Sequence, residues 1–213
     1  MKEYLEMGHM QLAPVESNIP ERSFYLPHHA VFKTSSLTTK IRVVFDASAK
    51  TTTGISLNDI LMRGPTTQDD IFSILIRFRK YQYVITADIE KMFRQISVDE
   101  QDWNLQRILW RGDPSEVLRT YQLVTVTYGT TPASFMSTQC LISLAQQVED
   151  QFARAAETIR RDFYMDDLMT GAETQEECIQ LHKEIISILE CKTTASKVVL
   201  QLLSDLRPNW KRY

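Results

Sequence analysis

The chain has 213 residues, 43% of them hydrophobic and 24% charged, which is typical of a globular protein long enough to bury a substantial core. Its three cysteines and four histidines follow no zinc-binding spacing, and no apolar run resembles a signal peptide or a bilayer-spanning helix. We therefore expect an intracellular protein, cytoplasmic or nuclear, with no membrane partner. The formal net charge of −3 does not exclude a nucleic-acid partner, because such binding depends on local basic surfaces.

The first 82 residues predict short elements separated by loops. Residues 1–30 contain three prolines and predict a helical turn followed by extended chain. The β-branched stretch Lys40–Ser48 predicts a strand, and residues 51–65 predict a loop with a short turn. A helix is predicted after Asp70, whose negative charge is favourable near a helix N-terminus. Its apolar positions recur at helical spacing: Ile71, Ile74, Leu75 and Phe78.

The central part of the chain predicts three strands and a long helix. Tyr83–Ile89 predicts a buried strand, and residues 105–111 and 117–126 predict two strands that pair with each other. Pro132 suits the first turn of a helix that runs to about Phe152. The apolar stripe of that helix consists of Phe135, Leu141, Leu144, Val148 and Phe152.

The C-terminal part predicts a hairpin and a last helix. The stretch RDFYMDDLMTG, Arg161–Gly171, predicts the hairpin. The helix begins at Thr174, where Glu177 completes a capping-box pattern. Its predicted buried positions are Cys178, Leu181, Ile185 and Ile188. Mixed strands and helices of this kind indicate an α+β domain.

The predicted hairpin carries two adjacent carboxylates, Asp166 and Asp167, in an otherwise apolar run. Turn acids normally lie among Gly, Asn and Ser, whereas these two lie between FYM and LMT. Asp88 lies at the end of an earlier strand, so the three carboxylates converge if the strands are neighbours in one sheet. Such hard oxygen ligands suit Mg²⁺, and a pair of ions promotes phosphoryl transfer. The alternative is a solvated turn and an unrelated acid at a strand end.

YMDD, at residues 164–167, resembles the signature of reverse transcriptases, and further segments match that family in order. These segments are YLPHHAVFK, TTKIRVVFDASAK, SLNDIL, ADIEKMFRQI, RILWR and VTYGTTPASF. Together they resemble the reverse-transcriptase region of Pao/BEL-type LTR retrotransposon polyproteins over residues 4–190. The number and order of the motifs make the resemblance specific, since the short acidic motif alone does not decide it.

The resemblance implies a reverse-transcriptase-like fold with fingers and a palm, in which helices back an antiparallel palm sheet. Residues 1–30 would lead into the fingers, 31–82 would form their first part, and 83–190 would form the palm with an inserted fingers segment around 99–126. The implied reaction is template-directed transfer of dNTPs to a primer 3′ end. The implied partners are an RNA or DNA template with its primer, dNTPs and the rest of a polyprotein. The implied cofactors are two Mg²⁺ ions, which Mn²⁺ can replace.

The resemblance also assigns the metal site residue by residue. Asp88 and Asp166 match the metal ligands of the family, and Asp167 completes the acidic cluster. The backbone carbonyl of Ile89 would contribute one more oxygen.

Two cations and an aromatic residue match positions that contact the incoming nucleotide. Arg42 and Lys33 would contact the triphosphate, because phosphate oxygens need fixed cationic donors. The guanidinium of arginine offers several hydrogen-bond donors in one plane. For each cation the alternative is a solvated surface charge. Phe93 matches the position where a bulky ring excludes a ribose 2′-hydroxyl, the group that separates RNA from DNA precursors. The alternative for Phe93 is core packing.

Three further residues match positions near the template and primer. Gly129 matches a glycine whose missing side chain lets the backbone approach the nucleotide, and an ordinary turn glycine is the alternative. Tyr164 and Met165, beside the acids, would lie at the primer end, and for Met165 the alternative is a buried hairpin position.

The sequence departs from the family in two places and matches nothing downstream of the palm. The spacing within YGTTPASF differs from that of many relatives, and residues 191–213 form a divergent tail. No segment resembles a thumb, an RNase H, a protease or an integrase, and a chain without a thumb contacts fewer phosphates. We therefore expect weak activity or none. The alternatives are a catalytically silent nucleic-acid-binding or interaction remnant, and a nucleotide cyclase, which also presents paired acids on a hairpin. The fingers strand IRVVFDAS and Phe93 argue against the cyclase.

Overall fold

The computed structural model describes residues 1–15, 22–32 and 41–190, together with the backbone of 200–201 and 207–208. Lys33 and most of the divergent tail therefore lie outside the described residues. The chain divides into two compact units. Unit one comprises Met1–Gly64 and Ser97–Ser134, and unit two comprises Pro65–Ile96 and Phe135–Tyr213.

The described elements follow one another in a mixed order. The helices are α1 (Lys2–Glu6), α2 (Leu57–Ile60), α3 (Ile71–Phe78), α4 (Ala133–Val148), α5 (Ala153–Arg161) and α6 (Gln175–Glu190). The strands are β1 (Met10–Leu12), β2 (His28–Phe32), β3 (Ile41–Phe45), β4 (Tyr83–Ile89), β5 (Arg107–Trp110), β6 (Arg119–Leu123), β7 (Phe163–Tyr164), β8 (Asp167–Ala172), β9 (Leu200–Gln201) and β10 (Arg207–Pro208). Two 3₁₀ helices span Met92–Gln95 and Glu100–Gln106.

The described residues of unit one form two small antiparallel sheets. Strands β5 and β6 pair with each other as the sequence predicts, and β1 adds a third strand beside β6, with Met10 opposite Leu123. Strands β2 and β3 form the second sheet, in which Val31 lies opposite Arg42. The core of this unit is made by Met10, Leu26, Phe45, Ala47, Leu57, Ile108, Tyr121 and Leu123.

Unit two is built on an antiparallel sheet in the order β10-β4-β8-β7, with β9 also paired to β4. Helix α6 packs against β4 and β8, and α3 packs against β7 and β8. The predicted capping position is occupied, because the Thr174 hydroxyl accepts the Glu177 amide at 3.3 Å. The predicted buried face of α6 is confirmed by Cys178, Leu181, Ile185 and Ile188. Helices therefore back the sheet, as expected for the palm of the predicted fold class.

The predicted helix from Pro132 to Phe152 is wrong in its C-terminal part. Helix α4 ends at Val148, Phe152 becomes the N-cap of α5, and the amides of Gln151 and Phe152 both donate to the Val148 carbonyl. Val148 and Phe152 keep helical spacing and both pack on the core, so the apolar pattern continues across the break. Helix α5 packs on the core through Ala155, Ala156 and Ile159, which are all buried. No helix within the described ranges is long and apolar enough to cross a membrane.

Candidate active site

The backbone of unit two brings the predicted acids together at one end of its sheet. In the pairing of β4 with β8, Asp88 lies directly opposite Asp167. The Ile89 amide donates to the Asp166 carbonyl at 3.0 Å. Since hydrogen-bonded and non-hydrogen-bonded pairs alternate in antiparallel sheets, Asp88 and Asp167 form a non-hydrogen-bonded pair, whose Cβ atoms lie about 4.5–5.5 Å apart. Their carboxylates therefore leave the same face of the sheet, and Asp166 follows in the adjoining turn.

The three carboxylates repel one another although they remain accessible to solvent. Partial burial raises the pKa of Asp88, and the negative charges of Asp166, Asp167 and Glu90, in that order, raise it further. Partial burial and the charge of Asp166 also raise the pKa of Asp167. A divalent cation would remove this repulsion, because a nearby positive charge favours the ionised carboxylates. The electrostatics of the cluster thus suit a bound cation.

The cluster is not a complete metal cage. Among the residues that the structure describes, no three His, Cys, Asp or Glu side chains converge closely enough to hold one metal ion. Mg²⁺ does not need such a cage, since it is commonly held by one or two carboxylates together with water and substrate phosphates. Asp88 and the hairpin acids fit that mode of binding.

The turn that carries Asp166 has an unusual backbone. Strand β7 ends at Tyr164 and β8 begins at Asp167, so that Met165 and Asp166 alone connect them. Met165 has a positive φ of 55°, a region that side-chain-bearing residues rarely adopt. Its amide donates to Oε1 of Gln68 at 2.8 Å. Gly or Asn normally supplies the positive φ of a two-residue hairpin loop. Neither residue occurs in YMDD, and this is the feature of the sequence that indicates an unusual turn.

A buried carboxylate fixes the base of the hairpin. Asp162 is 4% exposed and accepts hydrogen bonds from the Thr170 hydroxyl at 2.7 Å and from Nε of Arg77 at 3.2 Å. Arg77 also donates to the Arg161 carbonyl and forms an ion pair with Asp69 at 2.8 Å. Sequence reasoning missed Asp162 and Arg77, because in the sequence each resembles an ordinary surface charge. Their bond forms only when the hairpin packs on α3.

Phe93 follows Asp88 in the chain and precedes the hairpin acids. It lies in the 3₁₀ helix Met92–Gln95, where Met92, at 4% exposure, takes the core position. Phe93 itself is half-buried, so its ring is not enclosed in the core. Tyr164 lies opposite Asp167 and is 42% exposed. Both aromatic side chains are therefore accessible within unit two.

The other predicted contact residues belong to unit one. Arg42 is exposed on β3, as a side chain that binds phosphate must be. Gly129 has a φ of 90°, and a Cβ placed on it would lie 2.8 Å from the Phe45 carbonyl oxygen. The Asn58 amide nitrogen donates to the Gly129 carbonyl at 2.9 Å, and its Oδ1 accepts the Thr131 amide at 2.7 Å. This position requires glycine for local backbone reasons, and Asn58 fixes the loop around it.

The chain matches a model of a known protein family. Residues 11–202 match the family model described as reverse transcriptase (RNA-dependent DNA polymerase). No curated protein matches the chain in sequence.

Solved structures of foamy virus protease-reverse transcriptase are similar in fold. The native prototype foamy virus protein matches with a TM-score of 0.60 at 15% identity, over 88% of this chain and 21% of its own. The foamy viral complex with an RNA/DNA hybrid matches with a TM-score of 0.66 at 14% identity, over 96% and 23%. The complex with double-stranded DNA matches with a TM-score of 0.62 at 16% identity, over 95% and 29%. The chain thus spans about a quarter of the length of these proteins.

Proposed function

Because this chain belongs to the reverse transcriptase (RNA-dependent DNA polymerase) family, we propose that it adds deoxynucleotides to a primer 3′ end under the direction of an RNA or DNA template. The observation that carries the proposal is the pairing of Asp88 with Asp167 beside Asp166 in one sheet. Three carboxylates that repel one another at one end of a sheet are costly unless they bind a cation together with a polyphosphate.

In this reaction the primer 3′-hydroxyl attacks the α-phosphorus of a dNTP, and pyrophosphate leaves. Asp88 and Asp166, together with Asp167 and the Ile89 carbonyl, would hold two Mg²⁺ ions or their Mn²⁺ substitutes. When bound, such ions favour ionisation of the attacking hydroxyl and neutralise the leaving oxygen. The carboxylates would hold the metal ions in place. The Ile89 amide donates a hydrogen bond to the hairpin, and this bond keeps the ends of β4 and β8 in register.

The remaining predicted residues would bind the nucleotide and the nucleic acid. Arg42 and Lys33 would neutralise the triphosphate, and Phe93 would exclude the 2′-hydroxyl of a ribonucleotide. Exposure of Arg42 and of part of the Phe93 ring supports these assignments. The backbone at Gly129 would lie near the template, and Met165 and Tyr164 would lie near the primer end.

The polymerase partners are proposed on the same basis. Two of the similar structures hold an RNA/DNA hybrid and double-stranded DNA, which supports a primed template as the partner of this chain. We also assign the chain to the Pao/BEL-type LTR retrotransposons, on the ordered segments from YLPHHAVFK to VTYGTTPASF. A retrotransposon origin would make the rest of a polyprotein a further partner.

Primer extension tests the proposal. The purified chain, at low salt with Mg²⁺ or Mn²⁺, should extend a DNA primer on RNA and DNA templates, and Asp88→Asn should abolish extension. Asp150→Asn is the matched control, because Asp150 is an exposed acid of the same unit between α4 and α5. Extension that survives Asp88→Asn would contradict the proposal. Tight binding of a primed template without any extension would favour the silent binding remnant instead.

A further inference from the structure

We propose that Gln68 is a positioning residue, which sets Asp166 against Asp88 by holding the amide of Met165. Gln68 lies outside the segments that carry the family resemblance, and 97 residues separate it from Met165. The inference rests on the proposed function, since it concerns how that site is kept in shape.

The first argument is the conformation of the turn. Met165 has a φ of 55°, where the Cβ of an L-residue crowds its own backbone. Such a conformation persists only where the surroundings hold it. The Gln68 oxygen, 2.8 Å from the Met165 nitrogen, is a side-chain contact that does this at the residue immediately before Asp166. Release of that bond would let the turn relax and would move the Asp166 carboxylate.

The second argument is that Gln68 is itself held on both sides. The Thr67 hydroxyl lies 2.6 Å from the Thr138 hydroxyl of α4. On the other side, Asp70 caps α3 by accepting the Ser73 amide at 3.0 Å. The segment that carries Gln68 is thus tied to two helices, which limits the movement of its backbone.

The third argument is chemical. An amide oxygen accepts the Met165 hydrogen bond without adding a charge, whereas a carboxylate would bring one more negative charge to a cluster that already repels itself. A neutral acceptor is therefore the group that suits this position. Some residues orient metal ligands without touching the metal themselves. Their removal commonly lowers metal affinity or activity about 10–100-fold.

Amide hydrogen exchange tests the contact without any need for catalysis. In the wild-type chain the Met165 amide should exchange slowly. Gln68→Met keeps the length of the side chain but removes the acceptor, so protection should fall at least tenfold. Gln68→Glu keeps an acceptor and should restore most of the protection. Gln151→Met, an exposed glutamine of the same unit, is the control and should leave Met165 unchanged. Equal protection of Met165 in wild type and Gln68→Met would overturn the proposal.

Mn²⁺ binding, followed by electron paramagnetic resonance with a primed template present, tests the consequence. Gln68→Met should weaken Mn²⁺ binding about tenfold, while Gln151→Met should not change it. Unchanged Mn²⁺ affinity in Gln68→Met would overturn the positioning role even if Met165 loses protection. Failure of the proposed polymerase function would be a separate result, because the wild-type chain would then not extend a primer. Hydrogen exchange and Mn²⁺ binding would still test the role of Gln68.

Discussion

Arg77 donates through Nε to the carboxylate of Asp162 at 3.2 Å, and this bond joins α3 to the base of the acid hairpin. The two side chains are 20% and 6% exposed, so the ion pair is largely removed from water. Gln68, on the segment before α3, holds the tip of the same hairpin through Met165. The hairpin that carries Asp166 and Asp167 is therefore held at its base by α3 and at its tip by the segment before α3.

The first prediction concerns this ion pair. Arg77→Met should lower the free energy of unfolding by about 3 kcal/mol, because removal of one partner leaves a buried charge uncompensated. Urea denaturation measures the change. The control is Arg161→Met, which removes an exposed ion pair with Glu157 and should cost less than about 0.5 kcal/mol. Similar losses in the two variants would show that the Arg77 pair contributes no more than a surface contact.

The second prediction concerns Asp88 in the absence of metal. Its raised pKa means that below the ordinary range of an aspartate the group is protonated in both states and contributes nothing. As the pH rises from the ordinary pKa of an aspartate to the raised pKa of Asp88, stability falls, because ionisation costs more in the folded state. Asp88→Asn should therefore raise the midpoint of thermal unfolding at pH 7. The gain in stability should be only on the order of 0.5 kcal/mol, since the side chain remains accessible to water.

The same Asp88→Asn substitution should abolish primer extension, which separates its effect on function from its effect on stability. The measurement is a thermal melt in EDTA at pH 4 and pH 7, with Asp150→Asn as the control. A gain in stability that is as large at pH 4 as at pH 7 would contradict the electrostatic explanation.

The third prediction concerns Gly129. Gly129→Ala must place a Cβ 2.8 Å from the Phe45 carbonyl oxygen and must also adopt a φ of 90°, so we expect a loss of about 2–4 kcal/mol. Gly54→Ala is a matched control, because Gly54 has a φ of 78° but no atom lies within 4 Å of its added Cβ. That variant should lose only about 1–2 kcal/mol, the backbone cost alone. Equal shifts in the urea midpoint would show that the Phe45 contact relaxes without cost.

The strands and the buried helix face were predictable because their signals are local. β4 coincides with the β-branched run Tyr83–Ile89, and the capping residue Thr174 marks the start of α6. Local patterns of this kind need no knowledge of the remote chain. The pairing of Asp88 with Asp167 is a long-range feature, and the sequence pointed to it only through the family resemblance and the condition that their strands are neighbours.

The supports of the site were not predictable, because each depends on residues that are far apart in the sequence. Gln68 reaches a turn 97 residues away, and Arg77 reaches a carboxylate 85 residues away. The break between α4 and α5 was hidden for a related reason, since Val148 and Phe152 keep helical spacing across it. Tertiary packing determines each of these features, so the residues close to it in the sequence do not reveal it.

The last prediction concerns the choice of sugar. Phe93→Ala should open space beside the nucleotide and raise incorporation of rNTPs relative to dNTPs at least tenfold, because the ring is half-buried and free to meet a ligand on its exposed side. Met92→Ala is the control: Met92 is 4% exposed and should cost about 2–4 kcal/mol of stability without changing the rNTP to dNTP ratio. Competitive primer extension with matched rNTP and dNTP pools measures the ratio. An unchanged ratio in an active Phe93→Ala variant would assign the ring to packing alone, whereas a changed ratio in Met92→Ala would show that general loosening of the 3₁₀ helix is sufficient.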